Sequence, residues 1–246
     1  MNIKNMKRIG GGAQADVYVF EGKAIKIYKN NDSAVEARHE ADLQKKAYDL
    51  GAPAPEVFDV VDINGKSAII MELIEGDSLG EIILRDSANA YSLLADSVEL
   101  QIKLHSMDAI GFPSQKEILT RNIVNNAFLS DERKRALLQL LDSFKTDVKL
   151  CHGDFHALNM VKSKNSLKII DWVCANSGCA TSDACRSYLL YYLYQPEIAD
   201  MYLEIYCNMS GLYRNEALAW LPIVAGARLN EKVAESDIKT LLNMIP

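Results

Sequence analysis

Two linked stretches constrain this 246-residue chain more than any other part of it. The first is Cys151-His152-Gly153-Asp154-Phe155-His156-Ala157-Leu158-Asn159, and the second is Leu167-Lys168-Ile169-Ile170-Asp171-Trp172. In order they supply a carboxylate at Asp154, an amide five residues later at Asn159, and a second carboxylate, Asp171, closing an apolar strand. Gly153-Asp154 alone is ordinary turn chemistry. Joined to the other two groups it carries the parts that phosphoryl transfer needs. Asp154 is suited to orient and deprotonate an acceptor hydroxyl, and Asn159 and Asp171 to hold Mg²⁺ against nucleotide phosphates. The order and spacing are those of a kinase-type catalytic loop followed by its metal-binding aspartate.

The rest of the chain divides by pattern. Residues 1–75 read as antiparallel strands around one helix. A strand from Ile3 to Ile9 runs into Gly10-Gly11-Gly12, and Asp16 to Phe20 and Lys23 to Tyr28 alternate polar and apolar residues as half-buried strands do. Ser33 is placed to cap a helix from Ala34 to Leu50, ended by Gly51 and Pro53. Glu56 to Asp62 and Ser67 to Leu73 form a hairpin through Asn64-Gly65. Beyond Gly76 the period becomes helical, at Ala88 to Met107 and Asp131 to Phe144. Strand character returns near Leu150, at Met160 to Val161 and at Leu167 to Ile170, the last two joined through Lys164-Asn165. Three or four helices follow Ala180. The expected class is α+β in two lobes: an N-terminal nucleotide-binding lobe, 1–75, and a mostly helical C-terminal lobe, 76–246, carrying catalysis and acceptor binding.

Within the first lobe Lys26 alternates away from Ile25 and Ile27. A lysine on an outer strand face is unremarkable. Held by an acidic partner, though, it neutralises α/β-phosphate oxygens. Glu40 in the following helix is the favoured partner, with Glu36 one turn earlier as the fallback. Gly10, Gly11 and Gly12 let backbone amides approach phosphates between two strands. A strand follows them, so the run is neither a Walker A loop nor a Rossmann turn. Met71 to Gly76 is the expected connector, with Glu72 and Ile74 offering main-chain groups to an adenine edge.

A formal charge of −6 argues against a nucleic-acid or anionic-membrane partner. The basic run Arg133-Lys134-Arg135 sits beside Asp131 and Glu132 and reads as a solvated helix face. The apolar runs Tyr188 to Tyr194 and Ala219 to Ala227 fall short of the ~20 residues of a membrane span. Met1 to Arg8 lacks an apolar signal core, so a cytoplasmic location is expected. The five cysteines then read as free thiols, and Cys174, Cys179 and Cys185 lack the paired spacing of a zinc site.

These residues resemble the aminoglycoside phosphotransferase/choline kinase superfamily. The likeness rests on His-Gly-Asp-x-His-x-x-Asn at 152–159 and Ile-Asp-Trp at 170–172. It extends to Lys26, the Glu40 helix, Leu104-His105, Trp220-Leu221-Pro222 and Ala227-Arg228-Leu229. The resemblance implies a bilobal protein-kinase-like fold, ATP or GTP as donor, Mg²⁺, and a small-molecule acceptor bearing a hydroxyl. It also implies that Asp183 braces the catalytic loop. His152 and His156 have the four-residue spacing of a metal pair. The glycine and aspartate between them fit a loop better than a helix face, so they read as hydrogen-bonding residues of that loop. Gly153 stands where a protein kinase has an arginine, and Trp172-Val173 replaces Phe-Gly, which leaves little chain for a peptide-binding segment. Seven tyrosines after residue 180 suit an ammonium cage, and Glu197, Asp200 and Glu204 suit a polycation, but helix-core packing for the first set and a solvated face for the second are the favoured readings. The competing readings are a nucleotide-binding sensor without turnover and a protein Ser/Thr kinase.

Overall fold

The computed structural model describes residues 3, 6–30, 33–164 and 166–246. In chain order the elements are β1 (Lys7–Gly11), β2 (Ala15–Phe20), β3 (Lys23–Tyr28), α1 (Ala34–Asp49), β4 (Val57–Ile63), β5 (Lys66–Glu72), β6 (Asp77–Ser78) and α2 (Leu79–Arg85). There follow α3 (Ala90–His105), α4 (Gln115–Val124), α5 (Asp131–Ser143), β7 (Lys149–Cys151), β8 (Met160–Lys162), β9 (Leu167–Ile169) and β10 (Asn176–Gly178). The chain closes with α6 (Ala180–Tyr194), α7 (Pro196–Ser210), α8 (Arg214–Leu218), α9 (Leu221–Arg228) and α10 (Glu235–Asn243). Five helices thus follow Ala180, where the apolar periodicity suggested three or four. The short α8 is too brief to register as a period.

Two compact units result, one of residues 1–82 and 158–174, the other of 83–157 and 175–246. This differs from a single cut after residue 75. The β8–β9 pair returns to the first unit, where β6 pairs antiparallel with β8 through Asp77↔Lys162 and Ser78↔Val161. A two-residue strand has no readable alternation, so sequence pattern alone does not reveal this return.

In the first unit an antiparallel sheet runs in the order β1-β2-β3-β5-β4. The alternation along β3 explains its two faces. Ile25 and Ile27 join Met6, Ile63 and Ala68 on one side. Tyr28 joins Ala15, Ile69 and the α1 residues Ala37 and Ala41 on the other. Asn64 and Gly65, both at positive φ (57° and 79°), make the hairpin between β4 and β5. Ser33 occupies the cap position of α1, but its hydroxyl donates to the Asn30 carbonyl (2.7 Å) rather than accepting from the helix. The expected strand from Ile3 begins at Lys7; positions 4 and 5 of that stretch, like Asn165 of the expected turn, fall outside the described residues.

The second unit is helical, apart from the antiparallel pair β7–β10. Its main core gathers Leu119 and Ile123 of α4, Leu137 and Leu141 of α5, Cys185 and Leu189 of α6, and Ile223, Val224 and Ala227 of α9. Among the described residues no helix is long and apolar enough to cross a membrane. All five cysteines are free thiols, with Cys151 and Cys185 buried.

Candidate active site

In the first unit the two-residue repeat of β3 sends Lys26 and Tyr28 to the same face, beneath α1. Lys26 Nζ donates to Glu40 Oε1 at 2.5 Å, and the Tyr28 hydroxyl donates to Glu40 Oε2. Glu40 is buried, so both of its carboxylate oxygens are satisfied inside the unit. The expected Glu40 partner is therefore the one that meets Lys26. Lys26 also donates to Asp171 Oδ1 at 3.0 Å. Burial opposes its charge, yet Glu40 and then Asp171 outweigh it and hold the ammonium above its usual range. Burial first, then the Glu40 charge, push the Tyr28 phenol far up, which fixes it as a donor. Tyr28 went unnoticed in the sequence, although its place two residues after Lys26 was the available signal.

Asp171 follows β9 directly, and its backbone adopts a positive φ of 65°. Such a conformation is uncommon outside glycine and is tolerated best by Asp and Asn. It costs on the order of 1–3 kcal/mol and persists where its surroundings impose it. Here those surroundings are clear. Ile170 donates to the Asn159 carbonyl at 2.9 Å, Ile169 to the Pro53 carbonyl at 2.9 Å, and the buried Trp172 indole to the Ile169 carbonyl at 2.8 Å. Asn159 is itself buried and leads into β8, whose Met160 pairs with Ile169. Asn159 and Asp171 are thus brought to adjacent ends of one hairpin, with the Asp171 side chain 40% exposed and able to meet a ligand.

The glycines occupy the end of β1 and the turn into β2. Gly12 donates to the Ala15 carbonyl (2.9 Å), and the Lys29 ammonium donates to the Gly12 carbonyl (2.6 Å). Gly10 and Gly12 have open space where a Cβ would stand. Glu72 ends β5; its N–H donates to the Glu56 carbonyl at 2.8 Å, and its carboxylate accepts from Lys168 at 3.3 Å. Ile74 lies just past that strand in irregular, half-buried backbone.

The second unit holds Asp154. Its N–H donates to His152 Nδ1 at 3.3 Å, and its Oδ2 lies 3.6 Å from His156 Nε2. Burial works against the Asp154 charge, but the contact with His156 and the positive charge of Arg186 hold its carboxyl well below the ordinary range. The group is accordingly ionised and able to accept a hydrogen bond. Behind it, Gly153 donates to Asp183 Oδ1 at 2.8 Å, as expected of a bracing aspartate. Asp183 Oδ2 meets His105 Nε2 at 3.1 Å and Gln101 Nε2 at 3.2 Å. His105 Nδ1 meets the Tyr206 hydroxyl at 2.9 Å, and the Tyr202 hydroxyl donates to Gln101 at 2.6 Å. Burial disfavours the Asp183 charge, while His105 and the Gly153 amide hold its carboxyl below the ordinary range. His105, Cys151 and Asp183 have ligand atoms within 4.8 Å of one another. The hydrogen bonds of His105 and Asp183 already occupy the groups a cation would need.

Sequence reasoning noted His105 only as a helix end and missed Gln101, Arg186 and Glu231. The tyrosines after residue 180 divide between core and surface. Tyr191, Tyr202 and Tyr206 are core residues, Tyr213 is exposed, and the Tyr188 ring lies under Arg214 at 5.9 Å. Glu197, Asp200 and Glu204 are exposed, with Asp200 paired to Arg214.

A phosphotransferase enzyme family matches residues 5–220, most of the chain. The chain belongs to that family. No curated protein sequence matches it. Among solved structures, this phosphotransferase is similar in fold to a thermostable mutant of aminoglycoside phosphotransferase APH(4)-Ia in ternary complex with ADP and hygromycin B. That likeness has a TM-score of 0.72 at 11% identity and covers 98% of this chain and 90% of the other. It is similar to choline kinase LicA from Streptococcus pneumoniae, with a TM-score of 0.67, 14% identity, and coverage of 98% and 91%. It is also similar to an aminoglycoside-3'-phosphotransferase of type VIII, with a TM-score of 0.63, 18% identity, and coverage of 92% and 93%. These likenesses establish the kinase-like α+β fold of the phosphotransferase.

Proposed function

We propose that this phosphotransferase moves the γ-phosphate of ATP or GTP to a hydroxyl of a small molecule, of the aminoglycoside or amino-alcohol kind. One observation carries the reading: Lys26 is ion-paired to Glu40 and lies beside Asp171, which supports the strand lysine–helix glutamate pair that a kinase-type site keeps next to its metal-binding aspartate. In this reading Lys26 binds phosphate oxygens, held in place by Glu40, and the amides of Gly10, Gly11 and Gly12 approach the same phosphates. The Glu72 carbonyl and the Ile74 main chain orient the adenine edge, since the Glu72 N–H is already engaged.

Asn159 and Asp171 form an all-oxygen donor pair, one neutral and one anionic, that suits a hard cation. Mg²⁺ held there supplies charge neutralisation on the phosphate oxygens. Asp154 accepts the acceptor's hydroxyl proton at its carboxylate as the oxygen attacks. The low-lying Asp154 carboxyl keeps it charged across the physiological range. A cytosolic location, where nucleotide is plentiful, accords with this reading.

The acceptor class draws support from two directions. One similar structure holds ADP with hygromycin B and another is a choline kinase, both enzymes of small-molecule acceptors. The chain itself passes from Asp171 through a short turn and β10 straight into α6 at Ala180, which leaves no length for a peptide-docking segment. A coupled assay of ATP and GTP consumption across aminoglycosides, choline, ethanolamine and sugar alcohols tests the proposal. At least one acceptor should stimulate Mg²⁺-dependent turnover. Silence across the panel from a protein that binds nucleotide would turn the reading toward a sensor, and phosphate on added protein toward a protein kinase.

A further inference from the structure

We propose that Arg186, held by Glu231, is a positioning residue that clamps the peptide carrying Asp154. Arg186 Nε donates to the Gly153 carbonyl. Its two terminal nitrogens form a fork on Glu231, at 2.8 Å to Oε1 and 2.9 Å to Oε2. Glu231 Oε2 also accepts from Arg228. Burial disfavours the Glu231 charge, but Arg186 and then Arg228 keep its carboxyl below the ordinary range.

The grip falls where the loop most needs one. Gly153 adopts a φ of 77°, in the left-handed region where glycine is least constrained. Its N–H is fixed by Asp183 at 2.8 Å. The peptide joining it to Asp154 is fixed at its carbonyl by Arg186 and at its N–H by His152. Successive peptides on either side of the glycine are thereby pinned, and Asp154 inherits that orientation. Proton transfer is sensitive to such placement, and a shift near 1 Å costs up to about 100-fold in rate.

The clamp is assembled from distant parts of the second unit. Asp183 and Arg186 lie one turn apart on α6, while Arg228 and Glu231 lie at and beyond the end of α9, past the family match that ends at residue 220. Only a guanidinium holds a carbonyl and a carboxylate fork at once; a lysine ammonium keeps the charge and loses the geometry. The kinetic arm of the test rests on Asp154 as base, whereas the amide-exchange arm does not.

Arg186→Lys, Glu231→Gln and the double variant are compared with wild type. The readouts are amide exchange at Gly153 and Asp154, Mg-ATP turnover, AMP-PNP affinity and thermal midpoint. The clamp predicts exchange at the two amides at least about tenfold faster with α9 still protected. It also predicts kcat about 10–100-fold lower in Arg186→Lys with KM for Mg-ATP and AMP-PNP affinity within twofold of wild type. Glu231→Gln should act in the same direction, and the double variant no worse than Arg186→Lys. A lowered thermal midpoint with unchanged exchange at Gly153 and unchanged kcat per folded molecule would overturn it, leaving only an ion pair that ties α6 to the segment after α9. If the wild type shows no turnover that Asp154→Asn abolishes, the phosphotransfer reading fails while the exchange data still decide the clamp.

Discussion

At the scale of single residues, the site depends on buried charges whose partners are supplied by the fold. Glu40 is the clearest case, because burial makes its two donors obligatory. Lys26→Met leaves that carboxylate with Tyr28 alone and should cost about 3–5 kcal/mol, read as a drop in the urea unfolding free energy. An unchanged midpoint would mean that Lys26 does not neutralise Glu40. A second expectation concerns acid. Asp154, Asp183 and Glu231 all have carboxyls held below their ordinary range in the folded chain. The unfolded chain therefore binds protons more readily, so these groups stabilise the fold above the ordinary carboxylate range and lose that contribution as pH falls through their folded values. Denaturant titrations should show stability falling from about pH 4 downward. Asp183→Asn should start from a lower stability and fall less steeply.

At the scale of elements, what was legible tracks periodicity. The alternation of β3 placed Lys26 opposite Ile25 and Ile27, and the helix after Ser33 brought Glu40 over that face, so this pair was readable without coordinates. Asp171 was readable because an apolar strand delivers it. The clamp on Gly153 was not, since positions 153, 186 and 231 share no period and meet only through tertiary packing. The strands β6 and β10 were missed for a related reason: two or three residues carry too little pattern. Yet β6 matters, because it ties Gly76 against the strand that follows Asn159. A Cβ at Gly76 would stand 2.1 Å from the Lys162 carbonyl oxygen, an immovable backbone atom. Gly76→Ala should cost roughly 1–3 kcal/mol and speed amide exchange at Val161 and Lys162. Gly10→Ala, where a Cβ meets nothing within 4 Å, should change stability by less than about 0.5 kcal/mol. Equal effects at the two positions would contradict this account of the β6–β8 pairing.

At the scale of the whole molecule, the proposed division of labour follows the two units. The sheet, α1 and the β8–β9 hairpin hold Lys26, Glu40, Asn159 and Asp171, the groups suited to a metal-bound nucleotide. The helical unit holds Asp154 on a loop braced from a buried polar network. This separation makes binding and chemistry distinguishable by experiment. The most direct measurement is Mg²⁺-dependent AMP-PNP affinity and phosphoryl transfer, taken side by side on the wild type and Asp154→Asn. The account predicts unchanged affinity and transfer reduced about 10²–10⁴-fold in the variant. Transfer by Asp154→Asn at the wild-type rate would contradict it.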